Sequence, residues 1–204
     1  RRKGLDITAI RPGNVARYSG LGLSTQELRG LAVFHRAGKC SECHPITPGP
    51  GGTPPLFTDF TYDNLGIPRN PENPFYRMPP PHNPAGQGWV DPGLGATLRL
   101  MPAHRRFADA NHGKHRVPTL RNVDKRPDAA FVKVFGHNGF FKGLEHIVTF
   151  YNRRDTGDFP PPEVPANLNR EELGNLGLTP TEEADLVAFL RTLSDRTTAQ
   201  PPKP

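Results

Sequence analysis

Cysteine, methionine and tryptophan are scarce in this sequence of 204 residues, which has two cysteines, two methionines and one tryptophan. The cysteines stand only three positions apart, so a bond between them would be a poor staple for the chain. No apolar run approaches the ~18 residues that a membrane-spanning helix needs. No signal-peptide pattern is present either. These absences exclude a disulfide-stabilised fold and a transmembrane helix within the sequence.

Charge of one sign is not concentrated anywhere. Lys and Arg total 26 against 20 Asp and Glu, a net charge of +6, and the basic residues are scattered. Without a block of like charge, the sequence does not have the pattern of a nucleic-acid-binding arm. The excess fits an acidic protein partner or an ordinary solvated surface. The chain begins at Arg1 rather than Met, so we expect that a leader or an upstream region has been removed.

Proline and glycine, by contrast, are abundant, at 25 and 21 residues. Their share lies just below the level at which aperiodic chains are usually disordered. We therefore expect a folded chain with little regular structure and many loops. Such a chain gains stability from a bound cofactor that supplies apolar surface to its core.

Both cysteines belong to one motif, Cys40-Ser41-Glu42-Cys43-His44, which is the C-x-x-C-H attachment signature of c-type haem. Two thiols on one helical turn can add across the vinyl groups of a single haem, and the adjacent His44 then supplies the proximal iron ligand. A thioredoxin-like site is disfavoured because the motif follows a predicted helix rather than a strand. A zinc site would need a second cysteine pair, which the sequence lacks. We predict one covalent haem c and a periplasmic location, because this attachment occurs outside the bacterial cytoplasmic membrane.

Capping patterns predict two helices near the ends of the sequence. Ser24 and Glu27 form a capping box, and apolar spacing continues the helix from about 25 to 37. Thr179 and Glu182 form a second box, whose helix runs to about 194. The inward face of this second helix is predicted to carry Ala184, Val187, Leu190 and Leu193. A helix before the haem motif and a C-terminal helix that crosses it are typical of cytochrome c folds.

The rest of the sequence is dominated by loop signals. A third apolar helical stripe lies between Gly139 and Arg154. Residues 1–23 are predicted to be extended or irregular, residues 45–118 to be loops with one short helix around 103–110, and residues 155–178 to be loop. The predicted fold class is therefore mainly α, a cytochrome c-like haem domain with long Pro/Gly-rich loops and little strand.

The order of these motifs resembles the C-terminal haem domain of bacterial di-haem cytochrome c peroxidases and their MauG relatives. Five segments carry the resemblance: LSTQELRGLAVFHRAGKCSECH (23–44), FTDFTYDNLGIP (57–68), VPTLRN (117–122), FGHNGFFKGLEHIVTFYN (135–152) and LGLTPTEEADLVAFLRTLSD (176–195). The resemblance divides the chain into an N-terminal extension or interdomain segment (1–22), the haem domain (23–195) and a flexible tail (196–204).

The resemblance also implies roles for individual residues. In that family the C-terminal haem passes electrons and has two axial ligands, and the N-terminal haem is usually the peroxidatic one. By resemblance, His44 is the proximal ligand, Tyr151 is the distal ligand, and Arg121 and His137 contact the haem propionates or nearby water.

Two departures from the family pattern bear on these roles. One C-x-x-C-H motif is present, so a second haem would lie on another chain or in a domain outside this sequence. Val132 to Val134 stand where the family often has a Thr-x-Pro element that helps to bind calcium, which makes a bound calcium doubtful.

Other residues compete with Tyr151 for the distal position. A tyrosine on an amphipathic helix is usually a core residue with its hydroxyl at the rim. Met101 is the alternative distal ligand, because a Met-Pro step lies beside the haem in small cytochromes c. A phenolate would favour Fe(III) and lower the potential, whereas methionine raises it. Weaker alternatives are an open sixth site, Met78, and the histidine-rich segment with His104, His112 and His115.

Three functions follow from these alternatives. The first is the electron-transfer haem domain of a periplasmic di-haem peroxidase or MauG-like oxidoreductase, a weak peroxidase alone, with the peroxidatic haem elsewhere. The second is a mono-haem cytochrome c subunit that carries electrons to or from a larger complex. The third is an independent peroxidase with an open iron, in which His137 or Glu145 serves as the acid–base group. The expected partners are a second haem domain or chain, or another redox protein, and no nucleic acid.

Overall fold

Five α-helices and one short β-ribbon make up the regular structure of the computed structural model, which describes residues 6–128 and 130–195. The helices are α1 (Thr25–His35), α2 (Cys40–Cys43), α3 (Leu94–Leu100), α4 (Leu144–Arg153) and α5 (Pro180–Arg191). The strands are β1 (Tyr62–Asp63) and β2 (His115–Arg116), and they pair antiparallel. The prediction of a helix-rich fold with little strand is confirmed. The tail expected at 196–204 lies outside the described residues.

Helices α1 and α5 cross at close range. Each begins at a capping box, from Ser24 to Glu27 in α1 and from Thr179 to Glu182 in α5, as the sequence predicts. Gly30 lies at the contact, where a Cβ atom would overlap the backbone carbonyl of Asp185. The crossing buries residues from both helices: Leu28, Leu31, Ala32, Val33 and Phe34 of α1, and Leu186, Val187, Phe189 and Leu190 of α5. Burial of this apolar surface is the main force that holds the two helices together.

One partly buried ion pair also spans the crossing. Arg29 donates two hydrogen bonds to the carboxylate of Asp185, at 2.6 and 3.0 Å. The Asp185 side chain is 3% exposed, so a paired guanidinium is what makes its charge tolerable there.

Several predicted boundaries differ from the structure. Helix α1 ends at His35 and α5 at Arg191, each a turn or less before the predicted residue. Ala184 is exposed, because the buried face of α5 runs through Asp185 and Leu186 instead. The short helix expected around 103–110 lies at 94–100, and 3-10 turns follow it.

Short 3-10 helices take the place of much of the predicted irregular chain. They are Ile7–Ala9, Pro12–Leu21, Pro50–Gly52, Pro74–Arg77, Gly86–Gly88, Arg105–Phe107 and Asp109–Asn111. Several begin with proline, whose fixed φ suits the first helical position. The N-terminal segment before α1 is therefore a series of turns rather than extended chain. No described helix has both the length and the apolarity required to traverse a bilayer.

Candidate functional site

A cavity of about 520 Å³ lies between α1, α2, α4, α5 and the loops that cover them. Its volume falls in the range of small-molecule and cofactor sites. Most of its wall is apolar and includes Phe34, Leu65, Ile67, Phe135, Leu144, Val148, Leu186 and Leu190. The predicted residues Cys40, Cys43, His44, Arg121, His137 and Tyr151 all line this one cavity, although they are spread over more than a hundred positions of sequence.

The two cysteines occupy one wall, on the single helical turn of α2. Both are free thiols. Burial raises the pKa of each thiol to about 12, and for Cys43 the nearby carboxylates of Glu172, Asp59 and Asp63 add to the rise. The thiols are therefore neutral at physiological pH and face an apolar space.

His44 has its two ring nitrogens in different environments. Nδ1 lies 2.7 Å from the backbone oxygen of Phe57. Because a carbonyl oxygen can only accept, Nδ1 carries the proton and Nε2 is left with a free lone pair. Burial lowers the pKa of His44, which favours the neutral ring. This is the arrangement that holds a histidine ready to bind a metal, with one nitrogen oriented by a backbone carbonyl.

The carbonyl that orients His44 is presented by a strained residue. Phe57 has φ +53°, in the left-handed region that non-glycine residues seldom adopt. The next residue, Thr58, is buried and donates its hydroxyl to the backbone oxygen of Val117 at 2.7 Å. This bond ties the strained turn to the segment that begins the VPTLRN element. The unfavourable backbone conformation of Phe57 therefore places its carbonyl where it fixes the tautomer of His44, the predicted proximal ligand.

Tyr151 reaches the cavity from α4. Burial raises the pKa of its phenol, and the thiols of Cys40 and Cys43 raise it further, so the three groups lie close together. No group among residues 6–128 and 130–195 forms a hydrogen bond with the Tyr151 hydroxyl. The Tyr151 side chain is half-buried, and its hydroxyl is open to the cavity rather than enclosed by protein. A polar oxygen without a protein partner, inside an apolar cavity that also holds the free Nε2 of His44, fits an iron ligand.

Basic side chains mark the edge of the cavity. Arg116, Arg121 and Lys133 contribute to its lining. Arg121 lies 3.6 Å from the carboxylate of Asp195, a pair exposed enough to leave the guanidinium accessible. Lys133 donates to the backbone oxygens of Asn122 and Lys125. These cations suit the negatively charged propionates of a haem.

His137 belongs to a polar network at the same edge. Its Nε2 lies 3.0 Å from Glu163, whose side chain is 1% exposed and also accepts from Tyr76 and Asn138. Burial alone would raise the pKa of Glu163, but the hydrogen bonds from His137, Tyr76 and Asn138 outweigh it and lower the pKa to about 2. Glu163 is thus an ionised anchor for His137. Sequence reasoning missed it, because no spacing pattern links it to His137.

The ring of His137 also stacks on that of His115, with centroids 3.7 Å apart and planes 6° from parallel. Asp91, His115 and His137 have potential ligand atoms within 4.8 Å of one another. Imidazole lone pairs lie in the plane of the ring, so two stacked parallel rings cannot both point at one ion. This trio is therefore not a preformed metal site. Burial and the neighbouring His137 lower the pKa of His115.

The alternative distal ligands lie outside the cavity lining. Met101 is 44% exposed and follows the last residue of α3, and Met78 is 39% exposed. His104 and His112 do not line the cavity, and of the histidine-rich segment only His115 does. Proline at position 102 ends α3 and turns the Met101 side chain to the surface. Glu145, the other acid–base candidate, is exposed and pairs with Arg191 at 2.5 Å.

The residues present fit a covalently attached haem c. Cys40 and Cys43 lie on one turn beside His44, the walls are apolar, Tyr151 supplies an unpartnered oxygen, and the edge is basic. When bound there, a haem supplies one-electron chemistry at its iron.

No family model matches the chain. It is 29% identical over 176 residues to the cytochrome-c peroxidase IdrP1 of Denitromonas iodatirespirans, which covers 84% of this chain and 41% of the relative. It is 34% identical over 153 residues to the methylamine utilization protein MauG of Paracoccus denitrificans, which covers 69% of this chain and 35% of that protein. The chain thus spans less than half the length of these curated relatives.

The fold is similar to a solved structure of the same kind. The di-haem peroxidase BthA of Burkholderia thailandensis superposes with a TM-score of 0.65 and 31% sequence identity, over 91% of this chain and 46% of that one. The sequence relatives and the structural neighbour agree with each other and with the cavity described above. The chain belongs to the family of di-haem cytochrome c peroxidases and MauG-like proteins.

Proposed function

We propose that this chain is the electron-transfer haem domain of a periplasmic di-haem peroxidase or MauG-like oxidoreductase. The observation that carries the proposal is the pairing, in one apolar cavity, of His44 with a free Nε2 and Tyr151 with an unpartnered hydroxyl. Two protein ligands would close both axial sides of an iron. A closed iron exchanges electrons well but leaves no position for peroxide, so the domain alone would be a weak peroxidase.

The peroxidatic haem would then lie outside this sequence. The chain holds one C-x-x-C-H motif and its relatives are more than twice as long, which leaves room for a second haem domain. We assign residues 23–195 to the haem domain, with residues 1–22 as an extension or interdomain segment. The resemblance of the motif order to the family's C-terminal haem domain supports a position after such a second domain.

Each residue of the site has a distinct task in this proposal. Cys40 and Cys43 would hold the haem covalently, and His44 and Tyr151 would supply nitrogen and oxygen ligands to its iron. The Phe57 carbonyl orients His44 by accepting its Nδ1 proton. Arg121 neutralises a propionate at the rim, and His137, held by Glu163, supplies a second donor there.

The electron paramagnetic resonance spectrum of the ferric haem-loaded protein tests the axial ligands. We expect a low-spin signal that Tyr151→Phe converts to high spin, because phenylalanine cannot ligate iron. Tyr18→Phe is the control, since Tyr18 is a buried tyrosine whose hydroxyl donates to the backbone oxygen of Asp6, outside the cavity lining. A high-spin signal in the unmodified protein would show an open iron and overturn the proposal.

Haem stoichiometry separates the proposal from a mono-haem cytochrome subunit. The complete natural polypeptide that contains this chain is purified, and its haem per polypeptide is measured from the pyridine haemochrome spectrum. Two haems per polypeptide, or one together with a co-purifying haem chain, support a di-haem enzyme. A single haem with no haem partner identifies the mono-haem electron carrier instead.

A further inference from the structure

A compact projection between Gly93 and Gly113 carries side chains that the site described above does not use. Two backbone hydrogen bonds close its base, from Leu94 to Lys114 at 2.8 Å and from Gly113 to Pro92 at 2.9 Å. Inside this base, α3 packs against the 3-10 turn Arg105–Phe107. We call residues 94–112 the basic lobe.

The surface of the basic lobe combines apolar and cationic side chains. Leu100 is 82% exposed, and Met101 and Phe107 are each 44% exposed. Isolated exposed apolar residues are common, but three large ones within eight positions form a patch that is typical of interaction sites. Three arginines accompany them: Arg99, Arg105 and Arg106.

Two of these three arginines have no acidic partner among the described residues. Arg99 pairs with Asp109 at 2.7 Å, and that carboxylate is the only acidic group of the lobe. Within residues 6–128 and 130–195, Arg105 and Arg106 form no ion pair. Arg105 donates to the backbone oxygen of Arg99, and Arg106 lies 4.7 Å over the ring of Phe107. A surface that combines exposed apolar and basic side chains is complementary to a partner surface that presents apolar groups and carboxylates.

The lobe is also held rigidly, which lowers the entropic cost of docking. The Asn167 side chain donates to the backbone oxygens of Asp109 and His112, at 2.8 and 3.1 Å. The base continues directly into β2, where His115 and Arg116 line the cavity. A protein seated on the lobe would therefore lie beside the edge of the haem cavity.

We infer that the basic lobe is the docking site for an acidic electron-transfer protein. This inference rests on the proposed electron-transfer role, since it names the partner that supplies or accepts the electron. Steering by the lobe charges would raise the rate of encounter, and the apolar patch would stabilise the encounter complex. A transient complex of this kind needs only a small contact area.

The test uses the haem-loaded protein and an acidic flavodoxin in its hydroquinone form as the donor. Stopped-flow absorbance follows haem reduction at low ionic strength. We expect the double variant Arg105→Glu/Arg106→Glu to slow reduction about tenfold or more, with a weaker dependence on salt. Leu100→Ser should slow it about threefold and leave the salt dependence unchanged. Reduced lumiflavin, a small uncharged donor, should reduce all variants at one rate.

A charge-matched control locates the effect. Arg17→Glu/Arg77→Glu changes net charge equally at two exposed arginines outside the lobe, and it should change the flavodoxin rate less than twofold. Equal slowing by both double variants would mean that overall charge steers the donor, and would overturn the assignment to the lobe. Lobe-dependent binding to phosphatidylglycerol vesicles, or a lobe-dependent dimer, with unchanged flavodoxin rates would also overturn it.

The two proposals fail in different ways. If the electron-transfer role is wrong, the unmodified ferric protein is high-spin whatever the lobe does. If only the docking inference is wrong, the iron is low-spin and Tyr151-dependent, and reduction by flavodoxin is indifferent to the lobe arginines.

Discussion

The crossing of α1 and α5 and the loops around it are held together by different interactions. At the crossing, nine buried apolar residues recur at helical spacing, and Phe34 and Phe189 meet with ring centroids 5.3 Å apart. In the loops at 57–91 and 162–176, which we call the asparagine-rich loops, buried polar side chains bond to the backbone. The buried or bonded residues there include Asn64, Asn70, Asn73, Asn83 and Asn169.

This difference explains why one region can be recognised from the sequence and the other cannot. A helix repeats its contacts every three to four residues, so its pattern is local. Some of these asparagines instead have a partner set by the tertiary fold: Asn64 donates to the backbone oxygen of Val164, 100 positions away, and Asn70 to that of Asn138, 68 positions away. The long loops are therefore specific structures rather than loose connections, and they form the outer wall of the cavity.

Gly30→Ala should have the largest effect on stability, because it separates the two helices. Alanine is favoured over glycine in a helix by about 1 kcal/mol. Here the new Cβ atom would overlap the backbone oxygen of Asp185, and the shift needed to relieve this also disturbs the Arg29–Asp185 pair. We expect the free energy of unfolding to fall by about 4 kcal/mol, more than the ~1–3 kcal/mol typical of overpacking, because backbone atoms must move.

Denaturant unfolding of the haem-loaded protein measures this change. Gly13→Ala is the matched control, because a Cβ atom at Gly13 has no neighbour within 4 Å. It should change stability by less than about 0.5 kcal/mol. A neutral or stabilising effect of Gly30→Ala would show that the helices can separate slightly at no cost.

Asn64→Ala should have the next largest effect on stability, because it removes a buried side chain that makes three hydrogen bonds within the asparagine-rich loops. The Asn64 amide donates at 2.9 and 2.7 Å to the backbone oxygens of Val164 and Ala166, and its oxygen accepts from Gly66 at 2.9 Å. Alanine would leave these buried groups without partners. At about 1 kcal/mol for each lost bond, we expect the free energy of unfolding to fall by about 3 kcal/mol.

Asn175→Ala is the control for this change, because Asn175 is exposed. It should unfold at the same denaturant concentration as the unmodified protein. If Asn64→Ala also unfolds at that concentration, its hydrogen bonds do not stabilise the asparagine-rich loops. The loops and the helical crossing would then not differ in the interactions that hold them.

The candidate site shows the same contrast between local and tertiary information. Cys40, Cys43 and His44 belong to one motif of five consecutive residues. The family resemblance predicted Tyr151 as a ligand. Phe57 and Glu163 had no sequence signal, because each acts through hydrogen bonds to residues that are distant in sequence. The Phe57 carbonyl is aimed at His44 by a left-handed backbone conformation that residue type does not predict. The positions that bind a cofactor can be recognised from a motif, whereas those that orient the binding groups require the fold.

A smaller effect is expected from acid, which acts on the loops through Glu163. The pKa of this carboxylate is lowered to about 2 in the folded protein, against an ordinary value of 4.5. A lowered pKa means that the ionised form stabilises the fold. This contribution is complete above pH 4.5 and is lost as the pH falls toward 2. We expect a loss of about 2 kcal/mol across that window.

The comparison of interest is between the unmodified protein and Glu163→Gln, because other carboxylates also titrate in this range. The variant should be less stable at pH 7, since glutamine cannot carry the charge that His137, Tyr76 and Asn138 surround. The difference between the two proteins should shrink as the pH falls from 4.5, since protonation removes the same charge from the unmodified protein. If the difference in the free energy of unfolding stays constant with pH, the charge of Glu163 does not contribute to stability, and only the packing of its side chain does. The loops would then be held by packing, as the helices are.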